Sequence, residues 1–157
     1  MRFPSLRFGL ISLVLLAAWF VAGQGAVSPN PASPAGEWKT MDDATGKTKS
    51  IVAIYEQNGK LYGTIEKLFD PPVSHPTCYL CSGATKDRPL VGLQVLWGFR
   101  RDGSQWSGGQ VLDPETGKIY RASLSLEDEG RKLRLHGYIG IPLFGRTQYW
   151  LRAKSGD

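Results

Sequence analysis

From residue 50 onward, apolar and polar residues alternate in short runs, and most runs end at a turn carrying glycine. Alternation at period two marks half-buried strands, because successive side chains leave opposite faces of a sheet. Residues 50–57 and 60–69 flank Asn58-Gly59, a pair suited to a type I′ turn, whose two central residues both need positive φ. A two-residue loop there pairs Tyr55 with Tyr62, Ile54 with Gly63 and Val52 with Ile65. Val52, Ile54, Leu61 and Ile65 then share one face, and Tyr55, Tyr62 and Thr64 the other. Residues 89–101 predict another strand, with Val91, Leu93, Val95, Trp97 and Phe99 on one face. Asp102-Gly103 turns the chain into residues 105–113, and Pro114-Glu115-Thr116-Gly117 turns it into 119–127, with Ala122, Leu124 and Leu126 inward. Glu129-Gly130 leads to 132–139, and 146–153 closes the series. With a strand at Trp38 this gives about eight strands, and no later segment holds an apolar period of 3.6 over ten residues. The pattern predicts an all-β chain folded as a single antiparallel up-and-down β-barrel, since closure removes exposed strand edges.

The N-terminus follows a different pattern. Arg2 and Arg7 precede a charge-free apolar run over residues 8–22, and small and polar residues follow it. This is the arrangement of a secretory signal peptide, and the run is shorter than the roughly 20 residues that span a bilayer. Residues 1–25 are therefore predicted as a cleaved signal peptide, 26–35 as a flexible Pro-rich leader and 36–154 as the barrel domain. No later run is apolar enough for a stable membrane span after cleavage, and no cysteine follows the apolar run closely enough for a lipid anchor. An exported chain of this kind is expected in the periplasm.

Composition narrows the function. Loss of Arg2 and Arg7 with the leader lowers the formal charge from +5 to +3, and no run of four basic residues occurs. Nucleic-acid binders concentrate cations on one face or tail, so no nucleic-acid partner is expected. The 19 glycines and 11% aromatic content suit an ordered β protein rather than a disordered one.

Chemistry-bearing motifs are few. Cys78 and Cys81 are the only cysteines, in a Pro-rich loop. A redox pair would want the first cysteine at a helix N-terminus. A zinc site could add His75, but its fourth ligand would have to be His136 or a distant carboxylate. Haem attachment needs histidine where Ser82 stands. A disulfide pinning the loop in an oxidising compartment is favoured over all three. The sequence Asp-x-x-Thr-Gly-Lys occurs twice, from Asp42 and from Asp113. Met41 occupies a place where a phosphate loop needs glycine, and the oxygens are too few for a calcium loop, so both copies are read as turns. Ser107 lacks the flanking glycine of a nucleophile elbow, and the acidic clusters lie beside turns. No catalytic signature is legible, and no cofactor or metal is expected.

Gly36-x-Trp38 opening the first strand, with Arg146 or Arg152 on the last, resembles the calycin pattern of lipocalins and fatty-acid-binding proteins. That resemblance implies a Trp at the closed end of the barrel with a late Arg across it, a role assigned here to Trp38 and Arg152. Further pieces are Gly59-Lys60-Leu61-Tyr62-Gly63, Cys78-x-x-Cys81-x-Gly83, Trp106-x-Gly108-Gly109, and Gly137-Tyr138-Ile139-Gly140-x-Pro142-x-x-Gly145-Arg146-Thr147. Across 36–152 the chain resembles the exported bacterial domain-of-unknown-function family 2147. The resemblance implies export and a lipocalin-like barrel, and brings no activity or catalytic residue with it.

The reading favoured is a periplasmic barrel that binds a small apolar or amphipathic molecule. Tyr55, Tyr62, Trp97, Trp106, Tyr138 and Phe144 are the candidate ligand-binding residues, because large rings with polar tips suit amphipathic cavities. The alternative is an envelope interaction or stress-protective module with a solid core, acting through a surface patch. Between Gly137 and Gly145 a run of apolar residues interrupted by glycines and Pro142 is expected to tuck over a barrel end as a plug, rather than stand out as an exposed lip. Export is checked by mass spectrometry of protein from its native host: the N-terminus should lie between Gln24 and Ser28, and an intact Met1 would contradict it.

Overall fold

The computed structural model describes residues 32–69 and 76–154. The segment read as a signal peptide, His75 and the prolines at 71 and 72 lie outside the described residues. Eight strands follow one another in chain order. They are β1 (Gly36–Met41), β2 (Thr48–Gln57), β3 (Lys60–Leu68), β4 (Gln94–Asp102), β5 (Gln105–Asp113), β6 (Lys118–Glu127), β7 (Lys132–Tyr138) and β8 (Gly145–Arg152). Each pairs antiparallel with the next, and β1 pairs with β8, so the sheet is a closed barrel.

The β2–β3 hairpin has the expected register: Val52 faces Ile65, Ile54 faces Gly63 and Tyr55 faces Tyr62. Asn58 and Gly59 hold φ of 53° and 70°, as a type I′ turn demands. Val52, Ile54, Leu61 and Ile65 are buried, whereas Tyr55 is exposed.

Strand β4 departs from expectation. It begins at Gln94, because residues 89–92 make only an isolated bridge at Pro89 and then turn, with Leu93 N–H donating to the Leu90 carbonyl at 3.1 Å. Its pairing with β3 slips twice, so that Thr64 and Gly63 face Gln94 and Leu96 while Tyr62 and Leu61 face Trp97 and Phe99. Each slip adds a residue to β4 and resets which side chains point inward. Gly98 takes the second extra place at φ 85°, a conformation that resists a side chain. Val95 and Leu96 are consequently both buried, Trp97 turns outward and Val91 is half exposed, so the predicted single face does not form.

Two glycines make room for the core. A β-carbon on Gly63 would lie 2.9 Å from Leu96 Cδ1, and one on Gly109 would strike the Phe99 ring. Leu96 and Phe99 are fully buried as a result.

One barrel end is sealed. Trp38 is fully buried, and its Nε1–H donates to the Pro34 carbonyl at 2.7 Å. The Arg152 guanidinium lies 4.3 Å from the centre of the Trp38 ring. Its Nε, Nη1 and Nη2 donate to the carbonyls of Gly130, Ala35 and Ser33 at 2.7, 3.0 and 2.8 Å. Ser33, Pro34 and Ala35, assigned from sequence to the flexible leader, are thus part of the closed end, with Pro34 buried beneath it. Replacing Trp38 by Ala should cost about 3–5 kcal/mol in denaturant unfolding, as for other buried large aromatic residues; a loss under about 1 kcal/mol would mean that the ring does not hold the barrel shut.

Candidate functional site

Toward the other end the barrel is hollow. A cavity of about 920 Å³ opens there, walled by Val52, Ile65, Val95, Leu135 and Trp150. That volume lies within the ~300–1,000 Å³ of small-molecule sites. The closed half is filled by the fully buried rings of Trp38 and Phe99. On the cavity wall several inward positions carry small side chains or none, such as Val52, Val111 and Gly137, and Trp150 is the large buried ring among them.

Several polar groups of the lining are partnered to one another. Thr40 Oγ1 and Ser50 Oγ share a hydrogen bond of 2.7 Å. Gln148 Oε1 accepts from Trp150 Nε1 at 3.4 Å, and Gln148 Nε2 donates to Asp43 at 3.4 Å. Charges gather at the rim, where Arg146 pairs with Asp43 and Lys49 with Glu115. The arrangement is an apolar well under a polar, internally neutralised mouth.

Both copies of Asp-x-x-Thr-Gly-Lys build that mouth as turns. Asp42 Oδ1 accepts from the N–H groups of Ala44 and Thr45 at 3.1 and 2.7 Å and from the Thr45 hydroxyl at 2.8 Å. The Thr45 hydroxyl first, and the Thr45 backbone N–H next, hold the Asp42 carboxyl below its ordinary 3.8. Asp113 repeats the scheme, accepting from Glu115 N–H at 3.0 Å and the Thr116 hydroxyl at 2.9 Å. Gly46 and Gly117 N–H each close the turn on their Asp carbonyl at 2.8 Å. The Lys49–Glu115 pair then ties the first turn's strand to the second turn.

Cys78 and Cys81 are joined as a disulfide. Both are buried, and their loop leans on the second turn: Cys78 Sγ lies 3.9 Å from the Pro114 carbonyl oxygen, and the Leu80 carbonyl occupies the space a side chain on Gly117 would need. The disulfide buttresses the rim of the cavity. Among the described residues no group of three or more His, Cys, Asp or Glu is placed to hold a metal.

The candidate ligand residues separate into three groups. Tyr138 and Phe144 line the mouth. Trp106 is buried in the core, with the Arg101 guanidinium 5.3 Å from the centre of its ring. Tyr55, Tyr62 and Trp97 lie on the outer face; the two tyrosine rings stack at 5.8 Å, and Trp97 Nε1–H donates to Gln110 Oε1 at 2.8 Å. The cavity walls themselves, such as Val52, Ile65, Val95 and Leu135, were not singled out from the sequence. The signal that finds them is inward alternation combined with distance along each strand from the sealed end.

The 137–145 segment is a lip, not a plug. Ile139, Ile141, Leu143 and Phe144 are 65, 55, 80 and 72% exposed. Below them His136, on the outer face of β7, shares hydrogen bonds of 2.8 Å with the Pro142 carbonyl and 2.9 Å with Thr147 Oγ1. Its ring also fills the space beside Gly145. The loop is thereby anchored from outside the barrel, which holds its apolar side chains away from the core.

A closed eight-stranded barrel, sealed by a tryptophan with an arginine across it and open to a cavity at the other end, has a lipocalin-like fold. The solved structure of protein HP1028 from the human pathogen Helicobacter pylori, which belongs to the lipocalin family, matches with a TM-score of 0.66 over 77% of this chain and 83% of that one, at 22% identity. The chain belongs to DUF2147, a family of uncharacterized proteins conserved in bacteria, which matches residues 36–152. No curated protein matches it.

Because the lip is exposed, the double substitution of Leu143 and Phe144 by Ala should leave the melting temperature nearly unchanged. Buried residues of these types would each cost several kcal/mol, so a large drop in calorimetry would restore the plug.

Proposed function

We propose that this protein is an exported, periplasmic binding barrel for a small amphipathic molecule, which lays its apolar body in the cavity and keeps its polar end at the mouth. The observation that carries the reading is the polarity gradient along the barrel axis: apolar walls in a cavity of about 920 Å³, with charged pairs confined to the rim. An apolar well favours apolar matter at roughly 25 cal/mol per Å² removed from water, and an uncompensated charge would be costly at its floor. The ligand is therefore bipolar. The basic N-terminal flank and apolar run support export. A solid-core module acting through a surface patch fits less well, because only the sealed half of the barrel is filled.

Gly137 provides the test. A β-carbon there would sit 3.5 Å from Tyr120 Cβ and 3.6 Å from Val111 Cγ1, ordinary contact distances on the cavity wall. Gly137→Leu is therefore accommodated at its base and projects into the cavity. N-phenylnaphthylamine should bind the parent protein saturably with a rise in fluorescence. Gly137→Leu should weaken that binding by about five- to 150-fold, the effect of a 1–3 kcal/mol steric penalty. Tyr55→Ser, on the outer face, should leave it unchanged. Loss of binding in Tyr55→Ser but not in Gly137→Leu would move the site to the outer aromatic face.

A further inference from the structure

Exposed apolar side chains are distributed unevenly along the barrel axis. Among the described residues, eleven large hydrophobic side chains are exposed. Tyr55, Tyr149 and Leu151 lie on outer strand faces; the other eight belong to the loops and strand ends of the open mouth. Ile139, Ile141, Leu143 and Phe144 form the lip, while Leu80 and Val91 lie in the β3–β4 connection and Ile119 at the start of β6, at the same end. Scattered exposed apolar residues need no explanation, but a cluster confined to one end does. Ile139, Leu143 and Phe144 also line the cavity, so the exposed patch and the apolar well form one continuous surface.

We infer that this lip docks the open end of the barrel onto a lipid bilayer, so that the amphipathic ligand passes between membrane and cavity without crossing bulk water. The inference rests on the binding function proposed above and adds the surface with which it works. Three features select a bilayer as the occupant. A protein partner seated on the lip would cover the mouth, whereas a bilayer is itself the reservoir of amphipathic molecules. A second copy seated on the lip would cover the mouth in the same way. The rim charges are the third: Arg146 is neutralised by Asp43 and Lys49 by Glu115, so the end presents apolar side chains inside a balanced frame. Contact of this kind works by insertion at the headgroup boundary and depends little on lipid charge. His136 holds the loop through Pro142, which keeps the lip in place before contact.

Vesicle flotation tests the inference with the mature protein and phosphatidylcholine vesicles, in low and in high salt. The protein should float with the vesicles in both. Leu143→Ser with Phe144→Ser should reduce the bound fraction by about tenfold or more for each side chain removed, with an unchanged melting temperature showing that the fold is intact. Flotation does not draw on the cavity, so Gly137→Leu protein should float as the parent does. Probe binding without flotation would overturn the docking and leave the cavity reading standing; flotation without probe binding would do the reverse. Flotation only with phosphatidylglycerol vesicles, abolished by salt, or a dimer in sedimentation that the lip substitutions dissociate, would also overturn the inference.

Discussion

Closure of the barrel depends on a short ladder. β1 and β8 pair only over Trp38 with Arg152 and Lys39 with Leu151, whereas β2 and β3 pair along nearly their whole length. Two residue pairs are a weak seam for a sheet that must leave no edge. Arg152 reinforces it from inside the sealed end, where one guanidinium lies across the Trp38 ring and donates to three backbone carbonyls. Those carbonyls belong to the segment before β1 and to the turn before β7, so one side chain ties two further parts of the chain to the seam. Burial pushes the Arg152 pKa down, and no carboxylate pairs with it among the described residues. Its charge is met by carbonyl dipoles and a ring face, a task that suits a planar fork of donors better than a lysine.

The position of that seal decides where the rest of the molecule can be hollow. Trp38, Phe99 and Trp106 fill one half, whereas the other half leaves a cavity between the inward side chains of Val52, Val111, Leu135 and Trp150. A hollow end needs a rigid rim, since it lacks core packing behind it. The two Asp-x-x-Thr-Gly-Lys turns, the Lys49–Glu115 pair and the disulfide loop leaning on Gly117 supply that rigidity from local hydrogen bonds and covalent closure. Elements that looked unrelated along the sequence therefore share one structural task around one opening.

Much of this was legible before the structure. Asn58-Gly59 set a register that places Tyr55 opposite Tyr62, and the same register already put both rings on the face away from Val52 and Ile54. Choosing them as ligand residues gave ring size more weight than facing. Trp38 and Arg152 were readable as the seal through resemblance. Strand β4 was not readable, because alternation carries no information about an inserted residue: the extra places that bury both Val95 and Leu96 and turn Trp97 outward depend on Gly63 and Gly109 leaving space in neighbouring strands. The lip was misjudged for a related reason. Apolar composition suggested burial, whereas the contact that decides its position is the reach of His136 to the Pro142 carbonyl from outside the barrel.

The half of the interior farther from Trp38 is the apolar ligand site, and the half packed around Trp38, Phe99 and Trp106 is not. Methyl-resolved NMR during titration with lauric acid tests it most directly. Shifts and intermolecular contacts should appear at Val52, Ile65, Val111 and Leu135, and the methyls of Leu124 and Leu133 in the sealed half should stay in place. Contacts at Leu124 and Leu133, or contacts restricted to the outer rings of Tyr55, Tyr62 and Trp97, would contradict it.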